Sequence, residues 1–546
     1  MSSHPPSASP LRDRLRTLQD GVERAFDRPF GQAGNPWRQL GALAYFLFWI
    51  VAATGIYVYI GFDTRADGAY ASVERLSSNE FPLGSLTRTL HRYASDAFVV
   101  VVLLHLLREW LHGHYAHFRR FSWMTGVVTV WLLMVSGIGG FWLVWDRLAQ
   151  YSLIATTEWL DALPVFDGAL IRNFIAPDAV NDRLFSLLIF LHIGFPLALL
   201  AVMWIHLQRL SRPASNPPRA LAWGMLGALV LLSLVRPVAS DAPADLTLAP
   251  TTLALDWFYL GVHAFADVTS QAALWVATGG FTLLLLALPW LSHAARAPRP
   301  LAAVVDLANC NGCGRCFADC PYAAVTMQPR TDGRQLLRQA VVDPALCAGC
   351  GICAGACPSS TPFRSVAELV TGIDMPQAPV HALRTELEVA LAKLAAAGPD
   401  GGAPRVVVFG CHPAQGGPDL ARIADERTAT LSLLCAAQLP PSFVEFALRA
   451  GAEGVLVTGC RDGDCMYRLG NQWTEERLAG VREPHLRTAV PRDRVRVAWA
   501  GRQDSDVLAT ALAAFRASLA TAAAQDTARI APPKRVTRRP DPVRSA

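Results

Sequence analysis

The sequence predicts a multidomain protein: an all-α transmembrane helical bundle, then a small cysteine-rich α+β domain, then an α/β domain with a parallel sheet. Three observations predict it. Of 546 residues 52% are hydrophobic and only 17% charged, whereas average soluble proteins carry about 25% charged residues. The long uncharged runs all end before Arg296, and all 12 Cys lie at or after Cys310. Beyond residue 403, short apolar runs alternate with helical patterns. The length suits roughly three to four domains. This composition excludes a disordered or collagen-like chain and a small disulfide scaffold. With 49 Lys+Arg against 44 Asp+Glu, and no basic stripe interleaved with aromatics, nucleic acid is not an expected partner.

The bundle comes first. Uncharged stretches cover 39–62, 121–145, 184–208, 220–235 and 268–295, and a shorter one covers 97–107 between Asp96 and Arg108. A crossing needs about 20 mainly apolar residues, so the two short stretches must borrow flanking residues. Six transmembrane helices are expected over 38–297, after a polar segment 1–37 that lacks the pattern of a cleavable signal. The segment to Arg38 carries six Arg, and 108–120 and 209–219 carry three each. The alternate loops are poorer in Arg for their length, so both termini are expected in the cytoplasm of a bacterial inner membrane. In that reducing compartment, Cys is more suited to metal clusters than to disulfides.

Four histidines then stand out. His91 and His105 are 14 residues apart on one expected helix, and His192 and His206 are 14 apart on another. Fourteen residues return to nearly the same helix face about 21 Å along the axis. The two helices run in the same direction, so His91 lies level with His192 near the outer face, and His105 with His206 near the cytoplasm. Two bis-imidazole haem sites follow; a histidine that merely hydrogen-bonds a neighbour would not explain two pairs in register. Gly41 and Gly55, and Gly126 and Gly140, repeat the 14-residue spacing, where a clamped haem would need close backbone approach. No Cys lies in this half, so the haem is expected to be non-covalent haem b.

Together with Arg88-Thr89-Leu90-His91-Arg92, His105 followed by Arg108, and His192 with Pro196 before His206, this pattern resembles the cytochrome b of quinol-oxidising bc complexes. Leu255-Asp256-Trp257-Phe258-Tyr259-Leu260 resembles the Pro-Glu-Trp-Tyr segment that lines that family's outer quinol site, without its Pro, and Val144 stands where the family usually has Pro. The resemblance implies Asp256 as the acceptor of a quinol proton, with Tyr259 as the second candidate catalytic residue, and Arg88 and Arg108 as partners of haem propionates. On the residues alone, Asp256 is equally an interfacial acid beside an aromatic belt, and the two Arg are interfacial anchors.

After Pro298-Arg299-Pro300, the run Cys310-x2-Cys313-x2-Cys316-x3-Cys320-Pro321 recurs as Cys347-x2-Cys350-x2-Cys353-x3-Cys357-Pro358. In this bacterial pattern each fourth Cys ligates the other cluster. One [4Fe-4S] cluster is expected on Cys310, Cys313, Cys316 and Cys357, the other on Cys347, Cys350, Cys353 and Cys320. Gly312, Gly314, Gly349 and Gly351 relieve the turns. The stretch 298–362 resembles two-[4Fe-4S] ferredoxin domains, and 363–403 is expected to be a helical linker, helical over 381–396 and ending in a Gly-Pro-Asp-Gly-Gly turn.

In the last domain, 404–520, strands are expected over 405–410, 430–434, 454–459 and 495–500, with a helix over 441–450. Three of the strands run into Cys411, Cys435 and Cys460, and Cys465 follows. Strand carboxyl ends share one edge of a parallel sheet, so the four thiols converge. By spacing alone they suit an iron–sulfur cluster, zinc or free thiols. The stretch 451–467, Gly-Ala-Glu-Gly-Val-Leu-Val-Thr-Gly-Cys-Arg-Asp-Gly-Asp-Cys-Met-Tyr, followed by Gly470-Asn471, resembles the delta subunit of methyl-viologen-reducing hydrogenase. That resemblance implies a [2Fe-2S] cluster and electron exchange with a flavoprotein of the heterodisulfide reductase type. It departs at Cys411-His412-Pro413-Ala414, where the family has a Cys-x-x-Cys pair, so His412 is a candidate substitute ligand, and at Met466, where the family has His. The tail 521–546 is expected to be disordered and basic.

In this order the chain reads as a membrane oxidoreductase subunit linking the quinone pool, through two b haems and three clusters, to a soluble heterodisulfide-reductase-like flavoprotein. Expected partners are lipid, quinone, flavoprotein and iron–sulfur subunits, and optionally a second copy through the cytochrome b domain. Two other readings stay open on the residues, an anchor passing electrons between proteins without a quinone site, and a redox sensor. Transfer in either direction works with or against about 2.3 kcal/mol per 100 mV, and the residues do not select one.

Overall fold

The computed structural model describes residues 10–78, 82–166, 168–174, 180–249, 252–291, 300–396, 398 and 402–530. The chain forms two compact units, Met1–Arg299 and Pro300–Ala546. Residues 298 and 299 of the sequence boundary and most of the turn at 397–401 lie outside the described residues.

The first unit is helical. An amphipathic α1 (Pro10–Gly34) precedes α2 (Leu40–Gly61), α3 (Ala69–Ser77), α4 (Pro82–Leu111) and α5 (Arg120–Trp142). Then come α6 (Arg147–Asp161), α7 (Ala169–Phe174), α8 (Asp182–Leu207), α9 (Arg219–Val235), α10 (Gly261–Val268) and α11 (Gln271–Leu291). Local chemistry sets the starts. Asn181 accepts from the Arg183 and Leu184 amides at 3.0 and 3.3 Å to cap α8, and Asp146 accepts from the Ala149 amide at 2.8 Å to cap α6. Within α8, Pro196 removes the amide that would bond the carbonyl of residue 192.

Among the described residues, four helical spans are long and apolar enough to cross a membrane, Pro36–Gly61, His117–Trp142, Asp182–Leu207 and Gln271–Leu291. Only between 11% and 33% of each apolar window is buried inside the protein. Their outward faces carry Ile56, Ile60, Phe190, Leu197, Trp204, Val276 and Leu283, an apolar surface too large for water. α4 supplies its length from flanking polar turns, reaching 30 residues, whereas α9 has 17. The core lies where α2 packs on α4 and α5 on α8, around Leu43, Leu47, Phe98, Val102, Leu133, Phe185, Leu188 and Leu199. Sequence reading had no place for α1, α3, α6, α7 or α10, whose faces are partly polar.

The second unit begins with two small antiparallel sheets. β1 (Val304–Val305) pairs with β4 (Ile373–Asp374), and β2 (Val325–Pro329) with β3 (Arg338–Val342). Two five-residue helices, Arg315–Asp319 and Ile352–Ala356, each follow a left-handed glycine, Gly314 (φ 75°) and Gly351 (φ 77°). A four-stranded parallel sheet follows in the order β6-β5-β7-β8, made of β5 (Val406–Cys411), β6 (Thr428–Leu433), β7 (Gly454–Gly459) and β8 (Val495–Trp499). The helix Pro441–Arg449 packs against β7.

Two boundaries differ from the sequence expectation. The stretch 363–403 is not a free linker, since Ile373 pairs with β1 and the helix Val380–Ala396 buries Leu383, Leu387, Leu391 and Leu394 in the core of the parallel sheet. The last helix runs from Ser505 to Ile530, so 521–530, expected to be disordered, is helical. Its Ala-rich sequence favours helix; the Arg- and Pro-bearing remainder, 531–546, lies outside the described residues.

Candidate functional site

α4 carries His91 and His105 and α8 carries His192 and His206. The rings of His91 and His192 face each other with centroids 6.4 Å apart and planes at 72°, and His105 and His206 lie 14 residues further along the same two helices. Each imidazole abuts one of the four spaced glycines. A Cβ on Gly55 would stand 2.9 Å from Cε1 of His91, and one on Gly140 3.0 Å from Cε1 of His192. The same atom on Gly41 and Gly126 would stand 3.5 and 3.4 Å from His105 and His206. The glycines therefore make room for the imidazoles.

The neighbouring helices also orient the rings. His91 Nδ1 donates to the Val51 carbonyl at 3.0 Å and His192 Nδ1 to the Ser136 carbonyl at 3.1 Å. Each of these carbonyls lies four residues before the glycine that the same ring touches. His206 Nδ1 meets Thr125 Oγ1 at 2.9 Å, and the Thr125 hydroxyl donates its proton to the Phe121 carbonyl at 2.9 Å, so it accepts from the ring. Thr54 repeats this arrangement beside His91 at 3.2 Å. A ring protonated at Nδ1 presents its Nε2 lone pair, the form that binds iron. His105 differs, with Glu109 Oε1 4.0 Å from its Nδ1. The facing rings of His91 and His192 fit a bis-imidazole haem site. Sequence reading missed the threonines, although Thr-Gly recurs at Thr54-Gly55 and Thr125-Gly126.

Close to His91, Asp256 pairs with Arg92 of α4, and its Oδ1 accepts the Tyr259 amide at 2.9 Å. Arg92 Nε also lies 3.4 Å from Asp96 and its guanidinium 4.1 Å over the Phe141 ring. The Tyr259 hydroxyl donates to the Ser95 carbonyl at 2.9 Å, and its ring fills the space left by Gly137. The structure thus gathers Asp256 and Tyr259, together with Arg92, Asp96 and Ser95 that sequence reading did not assign. Asp256 is held in an ion pair with Arg92.

Arg88 and Arg108 already hold protein partners. Arg88 donates to Ser77 and to Ser240 at 2.7 Å, with Glu74 at 3.6 Å, and Arg108 Nε donates to the buried Glu23 of α1 at 3.0 Å.

In the second unit, a cavity is lined by Cys310, Cys313, Cys316 and Cys357 together with Gly312 and Gly314. Burial and the neighbouring Cys357, Cys313 and Cys310 push the Cys316 thiol up to about 12. Burial likewise raises Cys350 and Cys353, whose sulfur neighbours include Cys347 and Cys320. The structure therefore collects two groups of four thiols, crossed as the repeat spacing requires. Such groups become thiolates against a bound cation, so they fit two cubanes.

The last four cysteines lie at the carboxyl edge of the parallel sheet and all are buried. Cys411 and Cys465 each neighbour both Cys435 and Cys460. The Ala436 amide donates to Cys411 Sγ at 3.0 Å. Glycines again make the room: a Cβ on Gly459 would stand 3.0 Å from Cys411 Sγ, and one on Gly416 3.4 Å from Cys460 Sγ. His412 is exposed and its Nδ1 accepts the Ala414 amide at 3.1 Å, capping a short turn. The four thiols are gathered without it.

Comparison with known proteins divides the chain in the same way. Residues 26–213 match the family described as cytochrome b/b6/petB, 309–361 a 4Fe-4S dicluster domain, and 406–522 the methyl-viologen-reducing hydrogenase delta subunit. The chain is similar to the cytochrome b of Rhodospirillum rubrum, 25% identical over 311 residues, covering 51% of this chain and 76% of that protein. It is similar to the cytochrome b/c1 of Bradyrhizobium diazoefficiens, 24% identical over 299 residues, covering 49% of this chain and 43% of that one. Among solved structures, a chain of "Hyperthermophilic respiratory Complex III" aligns with a TM-score of 0.41 and 22% identity, over 52% of this chain and 85% of that chain. The protein carries a cytochrome b/b6 domain, a 4Fe-4S dicluster domain and a hydrogenase delta-subunit-like domain in that order. That is the domain set of a membrane electron-transfer subunit binding haem b and 4Fe-4S.

Proposed function

We propose that the chain links the quinone pool to a soluble cytoplasmic redox enzyme resembling the flavoprotein of heterodisulfide reductase. α4 and α9 complete six crossings, and the Arg-rich loops put both termini and the second unit in the cytoplasm. His91 with His192, and His105 with His206, hold two b haems; the eight cysteines of the repeat hold two [4Fe-4S] clusters; Cys411, Cys435, Cys460 and Cys465 hold a [2Fe-2S] cluster. When bound, these groups supply one-electron carriers from the outer membrane face to the soluble partner.

The observation that carries this reading is the four-fold imidazole–glycine pairing, fused in one chain to the cysteine sets. At the outer face, Arg92 lies between Asp96 and Asp256. A turn of its guanidinium toward Asp96 frees the Asp256 carboxylate to take a quinol hydroxyl proton. Tyr259, anchored on Ser95, keeps the loop against α4 and excludes water. The test is quinol-driven haem reduction in membranes carrying D256N. Slower reduction with unchanged haem content supports the quinone site. An unchanged rate favours an anchor that passes electrons only between proteins.

A further inference from the structure

One guanidinium in the second unit touches three cysteine-bearing segments at once. Arg477, on the helix Gly470–Ala479, is 1% exposed. Its Nη1 donates to the Ala437 carbonyl at 2.7 Å, two residues after Cys435. Its Nη2 reaches the Asp319 carboxylate at 2.5 Å, next to Cys320, and the Ile352 carbonyl at 3.4 Å, between Cys350 and Cys353. Asp319 is 2% exposed and also holds Arg482 at 2.7 Å, whose guanidinium lies 3.3 Å over the Trp473 ring. The two loops are packed hard together. A Cβ on Gly355 would come 2.1 Å from the Ala437 carbonyl and 2.9 Å from Arg477 Nη1, and one on Gly351 3.0 Å from the Gln438 side chain. Tyr467, buried beside this contact, lies within electrostatic reach of Cys350 on one side and of Cys435 and Cys411 on the other. The other cubane set carries the exposed Cys313.

We propose that the cubane on Cys347, Cys350, Cys353 and Cys320 is the one that exchanges electrons with the Cys411/Cys435/Cys460/Cys465 centre, and that Arg477 is the positioning residue that fixes this junction. The inference rests on both sets holding iron–sulfur clusters. A planar fork can hold three loops in fixed geometry, which a lysine ammonium on a flexible stem cannot. Its charge, close to both sets, also favours their reduced, more negative states. Burying that charge is tolerated because Asp319 and two carbonyls satisfy it.

The test uses the full-length chain, purified anaerobically, with EPR relaxation of the C-terminal cluster as readout. In the wild type, poised through a redox titration, that signal relaxes faster as the neighbouring cubane becomes paramagnetic; C313S marks the other cubane by altering its spectrum. Relaxation that tracks the C313S-marked cubane overturns the order. R477Q is expected to keep wild-type iron and sulfide, lose the relaxation enhancement, and shift the C-terminal midpoint to lower potential. R477K is expected to retain the midpoint but not the enhancement. Wild-type relaxation and midpoint in a fully loaded R477Q overturn the role of Arg477, and if R477Q fails to load, wild-type relaxation in R477K does so. A wild-type chain with no C-terminal cluster signal instead overturns the underlying cluster reading.

Discussion

Gly140 of α5 faces the imidazole of His192 on α8 so closely that a methyl group in its place would stand 3.0 Å from Cε1. Gly55 stands in the same relation to His91, at 2.9 Å. Ala at either position must displace the ring or part the helices, an overpacking that costs roughly 1–3 kcal/mol. G55A and G140A are expected to lose or perturb the outer haem, seen as a fall in haem per chain or a shifted midpoint. G41A, with 3.5 Å available, is expected to bind haem nearly as the wild type does.

The pairing across α4 and α8 makes a grouped prediction. H91L and H192L are expected to remove the same haem, and H105L and H206L the other. Each variant should retain one of two b-type haems, measured by haem extraction and redox titration. Four variants with four different residual spectra would break the pairing.

Thr125 and Thr54 hold Nδ1 of His206 and His91 at 2.9 and 3.2 Å. Such outer partners are typically worth roughly 10–100-fold in metal affinity or activity. T125V is expected to weaken haem retention at the inner site and raise its midpoint, because the ligand becomes less basic. T54V should have a smaller effect, since His91 keeps the Val51 carbonyl. Haem retention during gel filtration and optical titration of both variants check this.

The Arg92–Asp256 pair gives a further expectation. Asp256 is largely buried and Arg92 one quarter exposed. R92Q leaves Asp256 and Asp96 facing each other without the shared cation. Arg92 releases Asp256 for the proton but also anchors it between turnovers, so without that anchor quinol-driven haem reduction should slow by roughly 10²-fold, the scale of a displaced general base, with haem content unchanged. A wild-type rate would remove Arg92 from the proton path.

H412A is expected to leave the C-terminal metal unchanged, because its Nδ1 caps a turn at the surface. C460S is expected to abolish the cluster signal. Iron and zinc analysis with EPR distinguishes these outcomes.

Much of this architecture is legible in local sequence. The two cysteine runs carry their crossed ligation in their spacing, and the left-handed φ of Gly312, Gly314, Gly349 and Gly351 matches the turns they were expected to relieve. The His and Gly spacings are equally plain, but the facing of each Gly to a particular His is a contact between helices, which periodicity along one helix cannot contain. Arg92, Arg477 and Asp319 were missed for the same reason, since their partners lie far away in sequence. The helix Val380–Ala396 was expected almost to the residue, and Leu383, Leu387, Leu391 and Leu394 on one face carry the signal that it packs into a core. The helix reaching Ile530 shows Ala-rich propensity prevailing where Arg and Pro further along suggested disorder.

The most direct measurement is rapid anaerobic mixing of the purified chain with a quinol, followed optically for haem and by EPR for the clusters. The expected result is reduction of two b-type haems within milliseconds, followed by signals from both the 4Fe-4S and the C-terminal cluster. Haems and clusters that reduce with dithionite but not with quinol, or a chain holding one haem or zinc at Cys460, would contradict it.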